Sequence, residues 1–368
     1  MVRNLRRTFL PAILLSIFSC TSPEKSVPVD TLDQIAEDYV RLCLEIGHYD
    51  TDFVDAYYGP EELHPPDSIL SDDEIPFDEL KWRAITLLEK VERMNSDEFT
   101  GAEIIRMKNL EKQLQAVSAR LYILIGERLP FDKESKLLYD AIAPAHGYNY
   151  YDSLLALLHD HLPGNGTISE RYDSYAQQFI IPPDKLDTLF NIAIAEARRR
   201  TLQYIDLPDD ESFTLEYVTD KPWSGYNWYK GDAYSLIQLN TDLPIAIDRV
   251  IDLASHEGYP GHHVFNVLLE QNLVNDKNWV EYSIYPLFSP QSLIAEGSAN
   301  FGIEVAFPGT ERIEFESNTL WPIAGLPVAE VENYYDIQTV RSQLSYAGND
   351  IARSYFNGQI DENRAVEL

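Results

Sequence analysis

A chain of 368 residues, 45% of them hydrophobic, is long enough to bury one large or two ordinary cores without disulfide staples. Sixty acidic residues against 29 basic ones give a formal net charge of −31, which repels phosphate backbones and anionic lipid and argues against a nucleic-acid partner. The same excess keeps the surface solvated.

Residues 1–19 read as a signal peptide. Arg3, Arg6 and Arg7 form a positive start, Phe9 to Phe18 is an apolar run too short to span a bilayer, and Ile17-Phe18-Ser19-Cys20 approximates a lipobox. Cys20 is then the lipidated first residue of the mature chain, and residues 20–30, with Pro23 and Pro28, form a polar tether between membrane and domain. Ordinary signal cleavage and an uncleaved anchor are the alternatives. Thr21, in place of an aspartate after Cys20, favours the outer membrane or its periplasmic face, so the expected location is the cell envelope. Only Cys43 remains after processing; its apolar surroundings, Tyr39 to Leu44, mark a buried structural thiol.

A periodicity of about 3.6 residues predicts helices over Leu32 to Ile46, Phe77 to Met94, Ala102 to Arg128, Lys133 to Ala143 and Pro183 to Tyr204. Pro- and Asp-rich or Gly-rich stretches, Tyr57 to Pro76 and Leu162 to Ser169, read as surface loops. From Ser212 the texture turns aromatic and alternating, which predicts strands over Phe213 to Val218, Tyr226 to Tyr229 and Tyr234 to Asn240. Helix resumes near Ile245 and is still running at Leu368, as it would in a piece of a longer protein. The fold class is mostly α (α+β), with an N-terminal helical region over residues 31–205 and a catalytic region with a small sheet over 206–368.

Ser255-His256-Glu257-Gly258-Tyr259-Pro260-Gly261-His262-His263 places three of the eight histidines beside a carboxylate. Imidazoles and a carboxylate hold zinc, and a glutamate next to the first histidine can act as general base. The usual helical spacing puts the second histidine four residues on, where this chain has Pro260. Proline lacks the N–H and clashes with the preceding turn, so the helix must bulge between Gly258 and Gly261. A bulge makes His262 the better second ligand; His263, seven residues from His256, is the rival. The third ligand is expected on a following helix at Glu296, with Glu270, Glu281 and Glu304 weaker candidates. Glu304, two turns past Glu296, suits an orienting role or a solvated one.

The segment Leu236 to Asn240 is a candidate edge strand for an extended peptide, with Asn240, Tyr226 and Trp228 as candidate substrate-binding residues. Tyr334, Tyr335, Tyr346, Arg341 and Arg353 are candidate donors to an oxyanion.

The stretch His256 to His263, together with Glu296-Gly297, resembles the bacterial family called domain of unknown function 885, whose members look like distant relatives of the gluzincin zinc peptidases. Lys221 to Tyr229 and Asn240 to Pro244 are similar to that family as well. The chain differs in carrying Ser298 and Phe301 where many relatives have tryptophan and tyrosine. The resemblance implies a multi-helix fold with a small sheet beside the active-site helix, one zinc on His256, His262 and Glu296, Glu257 as base, and a peptide as substrate. A non-catalytic surface lipoprotein that binds through Trp223, Tyr226 and Trp228, and a hydrolase of non-peptide amides or esters, are the competing readings.

Overall fold

The computed structural model describes residues 31–66 and 75–368. The expected signal peptide, the Cys20 lipidation site and the tether lie outside the described residues, as does part of the Tyr57 to Pro76 loop.

Helix α1 (Leu32–Tyr49) starts at Thr31, whose side chain accepts from the Gln34 N–H while Gln34 accepts from the Thr31 N–H, a capping box that satisfies two orphan donors. A short strand, β1 (Val54–Tyr57), follows, then α2 (Phe77–Glu92) and α3 (Gly101–Leu124). Ile35, Tyr39, Leu42 and Ile46 recur at helical spacing on α1 and are buried against Leu80, Ala84 and Leu87 of α2 and Leu110 and Leu114 of α3. Cys43 is fully buried in this first core, where desolvation pushes its thiol pKa well above the usual range. Helix α4 (Phe131–Tyr139) stops earlier than periodicity predicts because Asp140 adopts a left-handed conformation, φ 53°, and its N–H closes on the Lys136 carbonyl.

Helices α5 (Tyr148–His161), α6 (Ile168–Ala176) and α7 (Leu186–Thr201) open the second core. Leu154, Leu158, Tyr175, Phe179, Leu189 and Phe190 pack there with Ile247, Val250, Trp321 and Tyr334. The division expected at residue 205 therefore falls inside this core: α5 to α7 belong with the C-terminal half. The break lies between α3 and α5, because the first core is built from residues 32–121 and Ile284.

Strands β2 (Ser212–Val218), β3 (Gly225–Gly231) and β4 (Tyr234–Asn240) form a sheet in the order β2-β4-β3, with β2 parallel and β3 antiparallel to β4. This corrects the expected edge strand: Leu236 to Asn240 is paired on both sides, and β3 is an edge. Asp232 and Ala233, both at φ 53°, make the two-residue turn between β3 and β4. Then come α8 (Asp248–Leu253), a π-helical turn over Ala254–Gly258, and α9 (His262–Leu269). Strand β5 (Ile284–Pro286) returns to pair antiparallel with β1, joining the two halves of the chain. Helix α10 (Pro290–Ala306) follows, capped by Ser289, and α11 (Thr310–Phe315), α12 (Trp321–Ala324), α13 (Val331–Leu344), α14 (Ala347–Phe356) and α15 (Glu362–Glu367) complete a mostly helical α+β chain. No helix among the described residues is long and apolar enough to cross a membrane.

A second tie between the halves is ionic. The Arg106 guanidinium on α3 is buried and donates to both Glu281 oxygens, at 2.6 and 3.0 Å, and to Asp33 at 2.5 Å. Removing one partner leaves a buried charge uncompensated, so Arg106→Ala should lose about 3–5 kcal/mol of stability. The urea midpoint is the readout; Arg106→Met/Glu281→Leu, which removes both charges, should recover most of the loss.

Candidate metal centre

The route from His256 to His262 is set by the break in the helix. Within the π-helical turn the Tyr259 N–H donates to the Ala254 carbonyl at 3.1 Å, five residues back, and the Gly261 N–H donates to the Ser255 carbonyl at 2.9 Å. Tyr259-Pro260 is a cis peptide. Only glycine fits at position 261, because a Cβ there would stand 1.9 Å from the His256 carbonyl oxygen. The chain then re-enters helix at His262, which lies against His256 although six residues separate them.

His256 Nε2 and His262 Nε2 are 3.1 Å apart. Glu296, projecting from α10, places Oε1 3.3 Å from His262 Nε2 and Oε2 3.5 Å from His256 Nε2. Donors held at about 2.0–2.2 Å by one tetrahedral zinc lie about 3.3–3.6 Å from one another; the two carboxylate–imidazole separations fall in that range, each to a different Glu296 oxygen, and the imidazole pair, at 3.1 Å, is slightly closer. Single donor atoms of His256, Glu257 and His262 also lie within 4.8 Å of one another. The donor set, two imidazoles and a carboxylate, suits zinc.

Glu257 differs from Glu296 in surroundings. Its side chain is 5% exposed and makes no hydrogen bond or ion pair among the described residues, while its backbone carbonyl accepts from Asn227 Nδ2 at 2.7 Å. Burial raises the Glu257 pKa, partly offset by the two imidazoles. Hydrogen bonds from His256 and His262 hold Glu296 well below the carboxylate range. Burial opposes protonation of His256, but the Glu296 hydrogen bond and the Glu257 charge outweigh it and raise its pKa.

His263 stands outside the cluster. It is fully buried, with Nδ1 2.9 Å from Ser235 Oγ and Nε2 2.9 Å from Glu211 Oε2, so both ring nitrogens are engaged. Glu211 also accepts from the Tyr259 hydroxyl at 2.7 Å and from Arg198 at 2.7 and 2.9 Å. Burial would raise the Glu211 pKa, but these donors outweigh it and lower it. The carboxylate thus pins residues 259 and 263, on either side of the turn that presents His262.

The weaker ligand candidates are used elsewhere. Glu270 accepts from the Tyr229 hydroxyl and from the N–H groups of Asp232 and Ala233, at 3.0 and 3.1 Å, and so holds the β3–β4 turn. Glu281 is paired with Arg106. Glu304 is exposed and makes no contact with the cluster.

A cleft of about 180 Å³ opens over the cluster, lined by Asp55, Tyr58, Tyr226, Asn227, Asn266, Tyr282, Tyr285 and Gln291 besides His256, Glu257, His262 and Glu296. Gly225 lets the sheet come close, since a Cβ there would lie 2.7 Å from Leu253 and 3.1 Å from Glu257 Oε1. Tyr226 is thus at the site, but Asn240 and Trp228 are not. Asn240 donates to the Lys221 and Trp223 carbonyls at 2.9 and 3.0 Å, holding a loop, and Trp228 donates to Gln238 at 3.0 Å on the sheet's outer face. None of the expected oxyanion donors lines the cleft. Tyr334 bonds Asp248, Tyr335 bonds Glu316, Arg353 pairs with Asp132 and Asp350, Arg341 donates to Tyr172 and Gln338, and Tyr346 is exposed.

Sequence reasoning missed Asp55, whose carboxyl is pushed up to about 6, chiefly by burial and also by the Glu296 charge, against the lowering effect of His262. It missed Tyr285 and Glu211 too. Each reaches the site through contacts distant in sequence, and no local pattern marks it.

No family model, curated protein or solved structure matches the chain.

Metal analysis of the purified protein should find about one zinc per chain, lost in His256→Ala, His262→Ala and Glu296→Ala. His263→Ala should keep the zinc stoichiometry while melting earlier, since it strips a buried partner from Glu211 and Ser235 at a cost of about 1–3 kcal/mol.

Proposed function

We propose that the chain is a zinc-dependent peptide hydrolase in which His256, His262 and Glu296 hold the metal and Glu257 is the general base. The observation that carries the reading is the buried Glu257 carboxylate, without a hydrogen bond or ion pair among the described residues, beside the converging donors of His256, His262 and Glu296. A purely structural metal centre has no use for that fourth group. The proposal extends to a distant gluzincin-like relationship through the domain of unknown function 885 family, and to an envelope location through lipidation at Cys20.

Zinc bound by the three ligands supplies Lewis-acid polarisation of the scissile carbonyl. Glu257 takes a proton from the attacking water at its carboxylate oxygen and returns it to the leaving amine nitrogen as the C–N bond breaks. Burial favours this exchange because it raises the carboxylate's affinity for the proton. Of the hydroxyls over the cluster, Tyr285 is the best placed donor for the developing oxyanion: it is partly buried, and its one hydrogen bond, to Ser292 Oγ, is long at 3.4 Å.

The strand β3 supports an extended substrate. The Asn240 N–H donates to the Ser224 carbonyl at 2.9 Å, which fixes the phase of the antiparallel ladder. By that phase Tyr226 and Trp228 bond β4, whereas the backbone groups of Gly225, Asn227 and Tyr229, all at the cleft, face the free edge.

Glu257→Gln should lower turnover of a fluorogenic peptide library by about 10²- to 10⁴-fold. Zinc content and melting temperature should match wild type. Turnover equal to wild type in this variant would remove Glu257 from the chemistry and favour a binding role.

A further inference from the structure

Asp55 is contributed by the N-terminal half of the chain. In the β1–β5 ladder Val54 faces Pro286 and Ala56 faces Tyr285, so Asp55 is the extra residue of a β-bulge. Bulges re-aim side chains, and this one turns a carboxylate into the cleft over the metal ligands. That carboxylate makes no hydrogen bond or ion pair among the described residues. Among the described residues no lysine or arginine lines the cleft. A divalent zinc would balance Glu257 and Glu296, leaving the charge of Asp55 uncompensated in a half-buried setting where an unpaired charge is costly. The cleft is therefore short of one cation, and it offers nothing cationic to a substrate carboxylate.

A peptide carries one such cation at a fixed distance from its first carbonyl. Its α-ammonium group has an ordinary pKa of about 7.7–8.0 and is charged at pH 7. We propose that the cleft takes the free amino end of a peptide, with Asp55 binding the α-ammonium group, so that the chain removes residues from the N-terminus. The proposal rests on the peptide-hydrolase reading of the same site. It predicts specificity for the amino end whatever the first side chain, and no use for a blocked one.

The test is binding by calorimetry to the full zinc-loaded chain in a Glu257→Asp background, which keeps the carboxylate charge but draws the base back so that probes are turned over too slowly to interfere. Trialanine amide should bind about 10- to 100-fold more tightly than N-acetyl-trialanine amide, the range of a charge-assisted hydrogen bond, and Asp55→Asn should erase the difference without loss of zinc. N-acetyl-lysine amide separates the two sources of an ammonium group: Asp55-dependent binding of this probe alone would assign the site to a lysine side chain and overturn the proposal. Equal affinity for free and acetylated probes, or loss of zinc in Asp55→Asn, would overturn it as well. If the wild-type chain hydrolyses no peptide yet trialanine amide still binds through Asp55, the hydrolase reading fails and the ammonium site stands.

Discussion

The site depends on a helix that is broken in one particular way. His256 and Glu257 end a π-helical turn, and His262 begins the next helix after a turn that Gly261 alone can make. An unbroken helix would place His262 away from His256, because six residues are well over one and a half turns. The π turn and the short loop absorb the excess, and the two imidazole nitrogens meet at 3.1 Å. The turn is held from outside its own sequence. Glu211 grips Tyr259 and His263, Asn227 grips the Glu257 carbonyl, and Gly302 of α10 allows Pro260 to pack closely. The two imidazoles are thereby placed by backbone geometry and a buried carboxylate, and Glu296 joins them from α10.

These outside supports come from elements that must themselves be fixed. Glu211 is anchored by Arg198 on α7, which packs in the second core, and Asn227 rides on β3, whose turn is held by Glu270. Glu270 follows α9 directly, so the helix that starts with His262 ends by bracing the strand that flanks the same cleft. Mutual bracing of this kind sets side chains more firmly than any one hydrogen bond could, since each contact restricts groups that the others have already ordered.

How much of this could be read from the sequence follows from the range of the interactions. The helices with a clear apolar stripe, α1, α2 and α7, were legible because their periodicity is local. So were the strands over residues 212–240, and the need for a bulge at Pro260, since proline's missing N–H acts within one turn. Which of His262 and His263 joins His256 could not be decided by spacing: His263 returns to the face of an unbroken helix and His262 only through the bulge, and what separates them is Glu211 and Ser235, distant partners that occupy both nitrogens of His263. The same holds for β1 and β5, of four and three residues, which exist as strands because they pair across the chain. Asn240 and Trp228 illustrate the reverse error. A polar or aromatic residue near a motif reads as a binding group until its partners are known, and both prove to be spent on the sheet and its loop.

The position of the cleft explains why the chain needs both halves. His256, Glu257 and His262 belong to the half that builds the second core, yet in the wall facing them Asp55 lies on β1, the strand that follows α1, and Tyr58 comes directly after it. The β1–β5 pairing, the buried Arg106 pair and the bond from the Tyr58 hydroxyl to the Tyr282 carbonyl, at 3.0 Å, hold that wall in place. The division of labour is electrostatic as well as geometric. The second half supplies two imidazoles and two carboxylates to the cleft, and β1 from the first adds a third carboxylate. In a chain of net charge −31 one more acid on the surface would mean little, but at the mouth of a partly desolvated cleft it acts at low dielectric and is felt by whatever enters. On the proposed reading the first half of the chain does more than cover the site: through Asp55 it adds a charge for a substrate to meet.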